Sequence, residues 1–163
     1  MYLEDYKRWA AAELEDPALA RELKEIAGDD EQIKDRFAVA LKFGTAGLRG
    51  VLGAGTNRMN IYVVRQATQG LANWVKTQGG SQSVAISYDS RINSDVFAKT
   101  AACVLAANGI HVRIYDALMP VPALRTPNAR SSLLHRMMVL YRTGKGIRCS
   151  AARRAVLQIF AAG

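Results

Sequence analysis

The sequence predicts an α/β fold in three α/β/α layers, with a mixed, mainly parallel sheet that is preceded by an N-terminal helical extension. Two segments, residues 83–88 and 110–116, have the apolar patterns of short strands. Apolar residues at helical spacing lie between them, so the three elements form a β-α-β unit. Two strands joined by such a crossover helix are parallel, and the crossover is right-handed in nearly all proteins.

Three short helices are predicted for the extension, which we assign to residues 1–41. The first carries aromatic side chains at helical spacing, namely Tyr2, Tyr6 and Trp9. Asp16-Pro17 supplies a capping carboxylate and a first-turn proline to the second helix, which Gly28 ends. Asp30 is predicted to cap the third helix, whose first turn is acidic as the helix dipole favours.

Two longer helices follow in residues 42–124, which we interpret as one domain. Asn60 is predicted to cap the first of them, which ends near Gly79. Ser94 is predicted to cap the second, which lies inside the β-α-β unit and is closed by Asn108-Gly109. Ligands bind beyond the carboxyl ends of parallel strands, so the loops that start at Asp89 and at Asp116 are candidate binding loops.

The net charge of +8 is unevenly distributed along the 163 residues. Residues 1–124 contain 14 Lys+Arg and 14 Asp+Glu, whereas residues 125–163 contain seven arginines, one lysine and no acid. A charge asymmetry of this kind indicates a nucleic-acid or membrane arm, or a segment of different origin. We therefore place a third segment, a basic tail of unclear structure, at residues 125–163.

Composition excludes some classes of protein. No apolar run reaches the roughly 18 residues that a membrane span needs, and the first residues lack the pattern of a secretion signal. Two cysteines, Cys103 and Cys149, are too few for a disulfide framework and lack the spacing of a zinc site. We expect a cytoplasmic protein without a membrane partner.

A glycine-rich segment at residues 43–60 holds five of the 13 glycines. Its Gly50-x-x-Gly53-x-Gly55 spacing is reversed relative to a dinucleotide fingerprint, and Thr143-Gly144-Lys145-Gly146 later in the chain lacks the other parts of a P-loop. A flexible turn is one interpretation. The other is an anion site, because glycines let backbone amides approach a ligand and arginines bind phosphate. The arginines concerned are Arg49, Arg58 and, after the first strand of the β-α-β unit, Arg91.

At residues 43–60 the sequence resembles the amino-terminal signature of the α-D-phosphohexomutases, in the phosphoglucomutase/phosphopentomutase branch. The resemblance continues through Tyr88-Asp89-Ser90-Arg91 and the second strand to the turn that ends at Leu124. It implies domain I of a four-domain enzyme that moves a phosphoryl group on a hexose or pentose phosphate through a phosphoserine. The family resemblance also implies Mg²⁺ for the full-length enzyme.

The resemblance assigns roles to individual residues. Thr45, Arg49 and Arg91 would border the phosphoserine centre, and Gly47 and Gly50 would bind substrate or phosphate. Asp89 is interpreted as a carboxylate that caps its own loop rather than as a catalytic group. Other residues are interpreted as structural: His111, Trp74 and Met59.

After Leu124 the sequence departs from the family. The family has a Thr-Ala-Ser-His-Asn-Pro loop that carries the phosphoserine, and Ser131, Ser132 and Ser150 are not followed by His-Asn-Pro. The metal loop and the sugar-selecting loop are also absent, so we expect no metal site, no cofactor in this chain and no mutase turnover by it alone. The leading hypothesis is a truncated domain whose last 39 residues come from a shifted reading frame or a rearranged gene.

Two other hypotheses remain open for the chain. The tail could be a basic arm on a non-enzymatic scaffold that binds nucleic acid or an anionic surface, although its many apolar residues argue against nucleic acid. Alternatively, the chain could complement a separately encoded remainder. A frameshift predicts that one of the other two reading frames downstream of Leu124 encodes the Ser-His-Asn-Pro loop. Translating the encoding DNA in those two frames tests this hypothesis. The residues that select the sugar in this family are not among those that this chain shares with it.

Overall fold

A computed structural model describes residues 1–44, 47–78 and 82–114. The chain divides into two compact units, Met1–Val63 and a second that begins at Val64. The predicted basic tail and the predicted boundary at Leu124 lie outside the described residues. Within the described residues, no helix is both long and apolar enough to cross a membrane.

The first unit begins with the three predicted helices, α1 (Tyr2–Ala11), α2 (Pro17–Glu25) and α3 (Asp30–Phe37). A short antiparallel hairpin follows, formed by β1 (Phe43–Gly44) and β2 (Gly47–Leu48). The long helix α4 (Ile61–Thr77) starts at the end of this unit. The helical extension and the glycine-rich segment therefore belong to one compact unit.

The helix caps in this unit follow local sequence, with one correction. The Asp16 carboxylate accepts a hydrogen bond from the Ala18 backbone N–H at 2.9 Å, as predicted for α2. Helix α3 is capped by Asp29, which accepts from the Gln32 N–H at 3.0 Å, and not by Asp30. The Asp30 carboxylate instead accepts a hydrogen bond from the Tyr2 hydroxyl, at 3.0 Å.

Aromatic rings form the centre of the first unit. Trp9 meets Phe37 with ring centroids 5.8 Å apart and Tyr62 with centroids 5.2 Å apart, both edge to face. Rings prefer this arrangement because a positive edge meets a negative face. The Tyr62 hydroxyl also accepts a hydrogen bond from the Glu15 backbone N–H at 2.8 Å. The helical spacing that places Trp9 on one face of α1 thus buries it in the core.

The second unit contains the predicted β-α-β arrangement. Strands β3 (Ser83–Ile86) and β4 (His111–Ile114) are parallel neighbours, with Ser83 opposite His111 and Ile86 opposite Ile114. Helix α5 (Ser94–Ala107) connects them. A cluster of buried apolar residues fills the space between strands and helices: Ala72, Val75, Val84, Ile86, Ala98, Ala102, Leu105 and Ile110. The α/β class is confirmed.

Two details of the second unit differ from the sequence prediction. Asn93, in the left-handed conformation at φ 63°, is the residue before α5, while the Ser94 hydroxyl accepts a hydrogen bond from the Asp89 N–H at 3.3 Å. Ser94 is therefore used to close the preceding loop rather than to cap the helix. Trp74 was predicted to pack but is 38% exposed, because Ala72 and Val75 occupy the face of α4 that meets the core.

Candidate functional site

The glycine-rich segment begins with a short hairpin. The β1–β2 hairpin pairs Gly44 with Gly47, and the residues that join them, Thr45 and Ala46, lie outside the described residues. Gly47 has φ +99°, and a Cβ atom there would meet no atom within 4 Å. Residues that carry a side chain disfavour a positive φ such as that of Gly47, whereas glycine adopts it readily. The glycine at this position therefore serves the turn and not a close packing contact.

Arg49 follows this hairpin and is exposed. No hydrogen bond or ion pair engages its guanidinium within the part of the chain that the structure describes. A guanidinium offers five N–H donors in a fixed plane, which suits bidentate binding of phosphate. Arg49 is thus available to bind an anion.

Arg58, the other arginine of this segment, is not available in the same way. Its guanidinium is almost buried and forms an ion pair with the Asp35 carboxylate of α3. The same segment is tied to α3 by the Asn57 side chain, which donates to the Asp35 backbone carbonyl at 2.9 Å. Arg58 and Arg49 are both predicted from the sequence to donate to phosphate, and the structure separates their roles.

Asn60 closes the second half of the segment onto helix α4. Its side-chain amide donates to the backbone carbonyls of Gly53 at 2.8 Å and Gly55 at 2.9 Å. Its side-chain oxygen accepts from the backbone N–H groups of Tyr62 at 3.1 Å and Val63 at 3.0 Å. One buried residue therefore satisfies two loop carbonyls and two of the free N–H groups at the start of the helix. The predicted capping role of Asn60 is confirmed.

Three glycines of the segment leave room for the helical extension. A Cβ on Gly55 would lie 2.7 Å from the Arg36 backbone oxygen, and one on Gly53 would lie 2.7 Å from the Glu22 carboxylate. A Cβ on Gly50 would lie 2.7 Å from a methyl group of Leu41. The sequence interpretation ascribed these glycines to the approach of an anion. The space they vacate is occupied by this chain's own residues, while the phosphate-binding role of Gly50 stays a prediction.

The loop after β3 belongs to the second unit and contains Arg91. The Asp89 carboxylate accepts hydrogen bonds from the Arg91 backbone N–H at 3.2 Å and from the Arg91 Nε at 2.8 Å. It also pairs with the Arg91 terminal nitrogen at 2.7 Å. Asp89 therefore caps its own loop, as predicted. Its partner Arg91 is exposed, and a role for Arg91 beside a phosphoserine stays a prediction.

The Asp89–Arg91 pair has a predicted pH dependence. The hydrogen bond from the Arg91 side chain lowers the pKa of Asp89 below its ordinary value of 3.8. Because the folded-state pKa is lowered, the pair stabilises the folded state fully at pH values above the unfolded-state pKa. This stabilisation is lost as the pH falls through the folded-state pKa. We expect the Asp89 carboxyl resonance to titrate below pH 3.8 in NMR and to move upward in Arg91→Gln.

Asp95 provides the internal control for that titration. Its pKa is also lowered, by the hydrogen bond from Lys99 at 3.0 Å, and Arg91 is not among the causes. Arg91→Gln should therefore leave the Asp95 midpoint unchanged. Equal Asp89 midpoints in the wild-type chain and in Arg91→Gln would contradict the assignment.

The described residues do not form a metal site. No group of three or more His, Cys, Asp or Glu side chains within ranges 1–44, 47–78 and 82–114 is arranged to hold a metal ion. Hard cations such as Mg²⁺ need oxygen ligands that converge on one point. These residues therefore do not fit a resident Mg²⁺.

These features define an α/β domain that carries a glycine-rich loop ahead of a capped helix, with an arginine that has no partner among the described residues. The family described as phosphoglucomutase/phosphomannomutase, alpha/beta/alpha domain I, matches residues 40–134, which is more than half of the chain. The chain belongs to this family. The match starts close to the predicted domain start at residue 42 and ends beyond Leu124, so the boundary predicted at Leu124 stays a prediction.

Individual relatives give the same result. The chain is 38% identical over 88 residues to a phosphoglucomutase of Staphylococcus haemolyticus, a match that covers 54% of the chain and 16% of that protein. It is 32% identical over 124 residues to a human phosphopentomutase, covering 71% of the chain and 20% of that protein. The matches thus span a fifth or less of these relatives. No solved structure gives a significant match.

Proposed function

We propose that this chain provides the first domain of a cytoplasmic sugar-phosphate mutase, an isomerase that moves a phosphoryl group between positions of a hexose or pentose phosphate. Membership of the phosphoglucomutase/phosphomannomutase family supports the reaction class. In phosphoryl transfer the protein contributes mainly positioning and stabilisation of charge. The full-length enzyme would use Mg²⁺, supplied with ligands by residues other than those described here.

The observation that carries the proposal is the guanidinium of Arg49, which is unpaired within the described residues and lies next to the positive-φ turn at Gly47. In this proposal Arg49 binds a phosphate of the substrate or of the phosphoserine, and Thr45, Gly47 and Gly50 line the same site. A role for Arg91 at the phosphoserine centre belongs to the same proposal and rests on the family resemblance. The described residues thereby bind and orient the phosphate, while the nucleophile comes from elsewhere.

The chain alone is proposed to be inactive. No serine in it is followed by the His-Asn-Pro sequence of the family's phosphoserine loop, so no residue is identified as the phosphoryl carrier. The purified 163-residue chain should not convert glucose 1-phosphate to glucose 6-phosphate. Turnover above the rate of a heat-inactivated sample would overturn this proposal. Co-expression with the other domains of a family enzyme tests whether a separate chain restores activity.

Phosphate binding by the chain tests the role of Arg49 directly. Inorganic phosphate added to the isotope-labelled chain should shift the backbone resonances of residues 47–50 in NMR. Arg49→Gln should weaken the affinity by about tenfold, the equivalent of roughly 1.4 kcal/mol. A charged donor to phosphate is lost, whereas the backbone of the loop is not altered.

Arg21→Gln is the matched control for charge. Arg21 lies exposed on α2 in the same unit, and no ion pair engages it within the part of the chain that the structure describes. This substitution removes the same formal charge and should leave phosphate affinity nearly unchanged. If phosphate affinity falls equally in both variants, the effect arises from net charge alone. If Arg49→Gln binds phosphate as tightly as the wild-type chain, the proposed site is refuted.

A further inference from the structure

One carboxylate of the helical extension contacts both the glycine-rich segment and a neighbouring helix. Glu22 on α2 accepts a hydrogen bond from the Ala54 backbone N–H at 2.6 Å through Oε2. Through Oε1 it accepts one from the Arg36 Nη1 on α3, also at 2.6 Å. The Arg36 Nη1 lies 3.4 Å from the Ala54 backbone oxygen as well. Glu22, Arg36 and Ala54 therefore form a closed set of polar contacts, which we call the Glu22 brace.

Burial strengthens the brace. The side chain of Arg36 is 13% exposed and that of Glu22 is 28% exposed, while Ala54 is fully buried. Charge-assisted hydrogen bonds are shorter and stronger than neutral ones, and a low local dielectric increases their strength. The Arg36 Nε is buried and has no hydrogen-bond partner among the residues that the structure describes, so the guanidinium depends on Glu22 for compensation of its charge.

The backbone of α3 holds the same turn from a second direction. The Arg36 backbone oxygen accepts a hydrogen bond from the Asn57 N–H at 2.9 Å. It also lies in the position that a Cβ of Gly55 would approach to 2.7 Å. The flanking glycines of the turn, Gly53 and Gly55, have φ +147° and +127°. The extension thus packs directly on a turn whose conformation only glycines adopt readily.

The brace also determines which part of the loop an anion can reach. The Ala54 N–H is already used by the Glu22 carboxylate, so it is not offered to a ligand. The exposed residues of the segment include those at 49–52. The hydrogen bond from the Met59 N–H to the Val51 carbonyl at 2.7 Å links this exposed part to the braced turn. A change at residue 54 therefore has a short backbone route to Arg49.

We propose that Glu22 and Arg36 are positioning residues for the phosphate-binding loop, and that the helical extension forms part of the phosphate site's framework. This inference rests on the proposed function of Arg49. Glu22 does not touch the phosphate in this arrangement. It fixes the turn at residues 53–55 and through it the backbone that presents Arg49.

Glu22→Ala in the full chain tests the proposal, with inorganic phosphate as the probe. Loss of the carboxylate should weaken phosphate affinity by about tenfold, equivalent to roughly 1.4 kcal/mol. It should also increase hydrogen exchange at the Ala54 amide. Glu22→Gln retains an oxygen that accepts from Ala54, so it should restore most of the amide protection and part of the affinity. A role in general stability alone would not produce this graded rescue at one loop.

Glu25→Gln is the matched control. Glu25 lies exposed on the same helix, and the part of the chain that the structure describes holds no ion pair for it. It should match the wild-type chain in phosphate affinity and in Ala54 exchange. Should Glu22→Ala fail to fold, as judged by circular dichroism, the comparison of Glu22→Gln with Glu25→Gln decides the question: weaker binding only in Glu22→Gln supports the proposal.

The results separate this inference from the proposed function. Wild-type phosphate affinity in a folded Glu22→Ala chain overturns the positioning role and leaves Arg49 as the phosphate ligand. A wild-type chain that binds no phosphate overturns the proposed function. Ala54 exchange then decides whether the brace fixes the turn: equal exchange in wild type and Glu22→Ala overturns the brace, and faster exchange only in the variant supports it.

Discussion

Gly55→Ala is expected to lower the free energy of unfolding by about 3 kcal/mol or more, because two costs add at one position. The residue has φ +127°, where an L side chain is strained. An added Cβ would also lie 2.7 Å from the Arg36 backbone oxygen and 2.9 Å from its Cβ. Backbone atoms of a neighbouring helix cannot move aside cheaply. Urea unfolding followed by circular dichroism measures the change.

Gly70→Ala is the control for this substitution. Gly70 lies inside helix α4, is exposed, and has no atom within 4 Å of an added Cβ. Alanine in a helix interior is more stable than glycine by about 0.5–1 kcal/mol, so Gly70→Ala should stabilise the protein. The opposite signs would show that the loss in Gly55→Ala arises from the turn. A Gly55→Ala chain as stable as wild type would refute the packing described for α3 and the turn.

Leu105→Ala is expected to destabilise the protein by about 3 kcal/mol, within the roughly 2–5 kcal/mol measured for buried leucines. Leu105 lies on α5, is 1% exposed, and belongs to the core cluster that includes Val84, Ile86 and Ile110. Truncation removes apolar contacts from both strands of the parallel pair and leaves a cavity. The same urea titration measures the loss.

Leu3→Ala supplies the comparison for burial. Leu3 lies on α1 and is 41% exposed, so the same change of side chain should alter the free energy of unfolding by less than about 1 kcal/mol. Similar losses in the two variants would contradict the assignment of Leu105 to the core of the second unit.

Helix starts show how far local sequence predicts the fold. Asp16 and Asn60 were predicted as caps and act as caps, because a side chain and the N–H groups that it accepts from lie within three residues. The start of α3 was misplaced by one residue. Asp29 and Asp30 are chemically identical, and a distant contact, the Tyr2 hydroxyl on Asp30, accompanies the choice of Asp29.

The candidate site was predicted less completely. Arg49 and Arg58 look equivalent in the sequence, since both lie in the same glycine-rich segment. Asp35 pairs with Arg58 and makes it structural, while Arg49 stays unpaired within the described residues. Glu22 was not identified at all. Its partners Arg36 and Ala54 lie 14 and 32 positions away, and no local pattern links residues at such distances.

By itself the sequence determined the helices, the β-α-β unit and the family resemblance, because these depend on periodicity, caps and short motifs within a few residues. Only the tertiary structure decided what the glycines at positions 53 and 55 accommodate, namely the Glu22 carboxylate and the backbone of Arg36. The physical reason is that a residue without a side chain makes space, and the sequence does not record which atoms fill it. In this chain the helical extension fills that space.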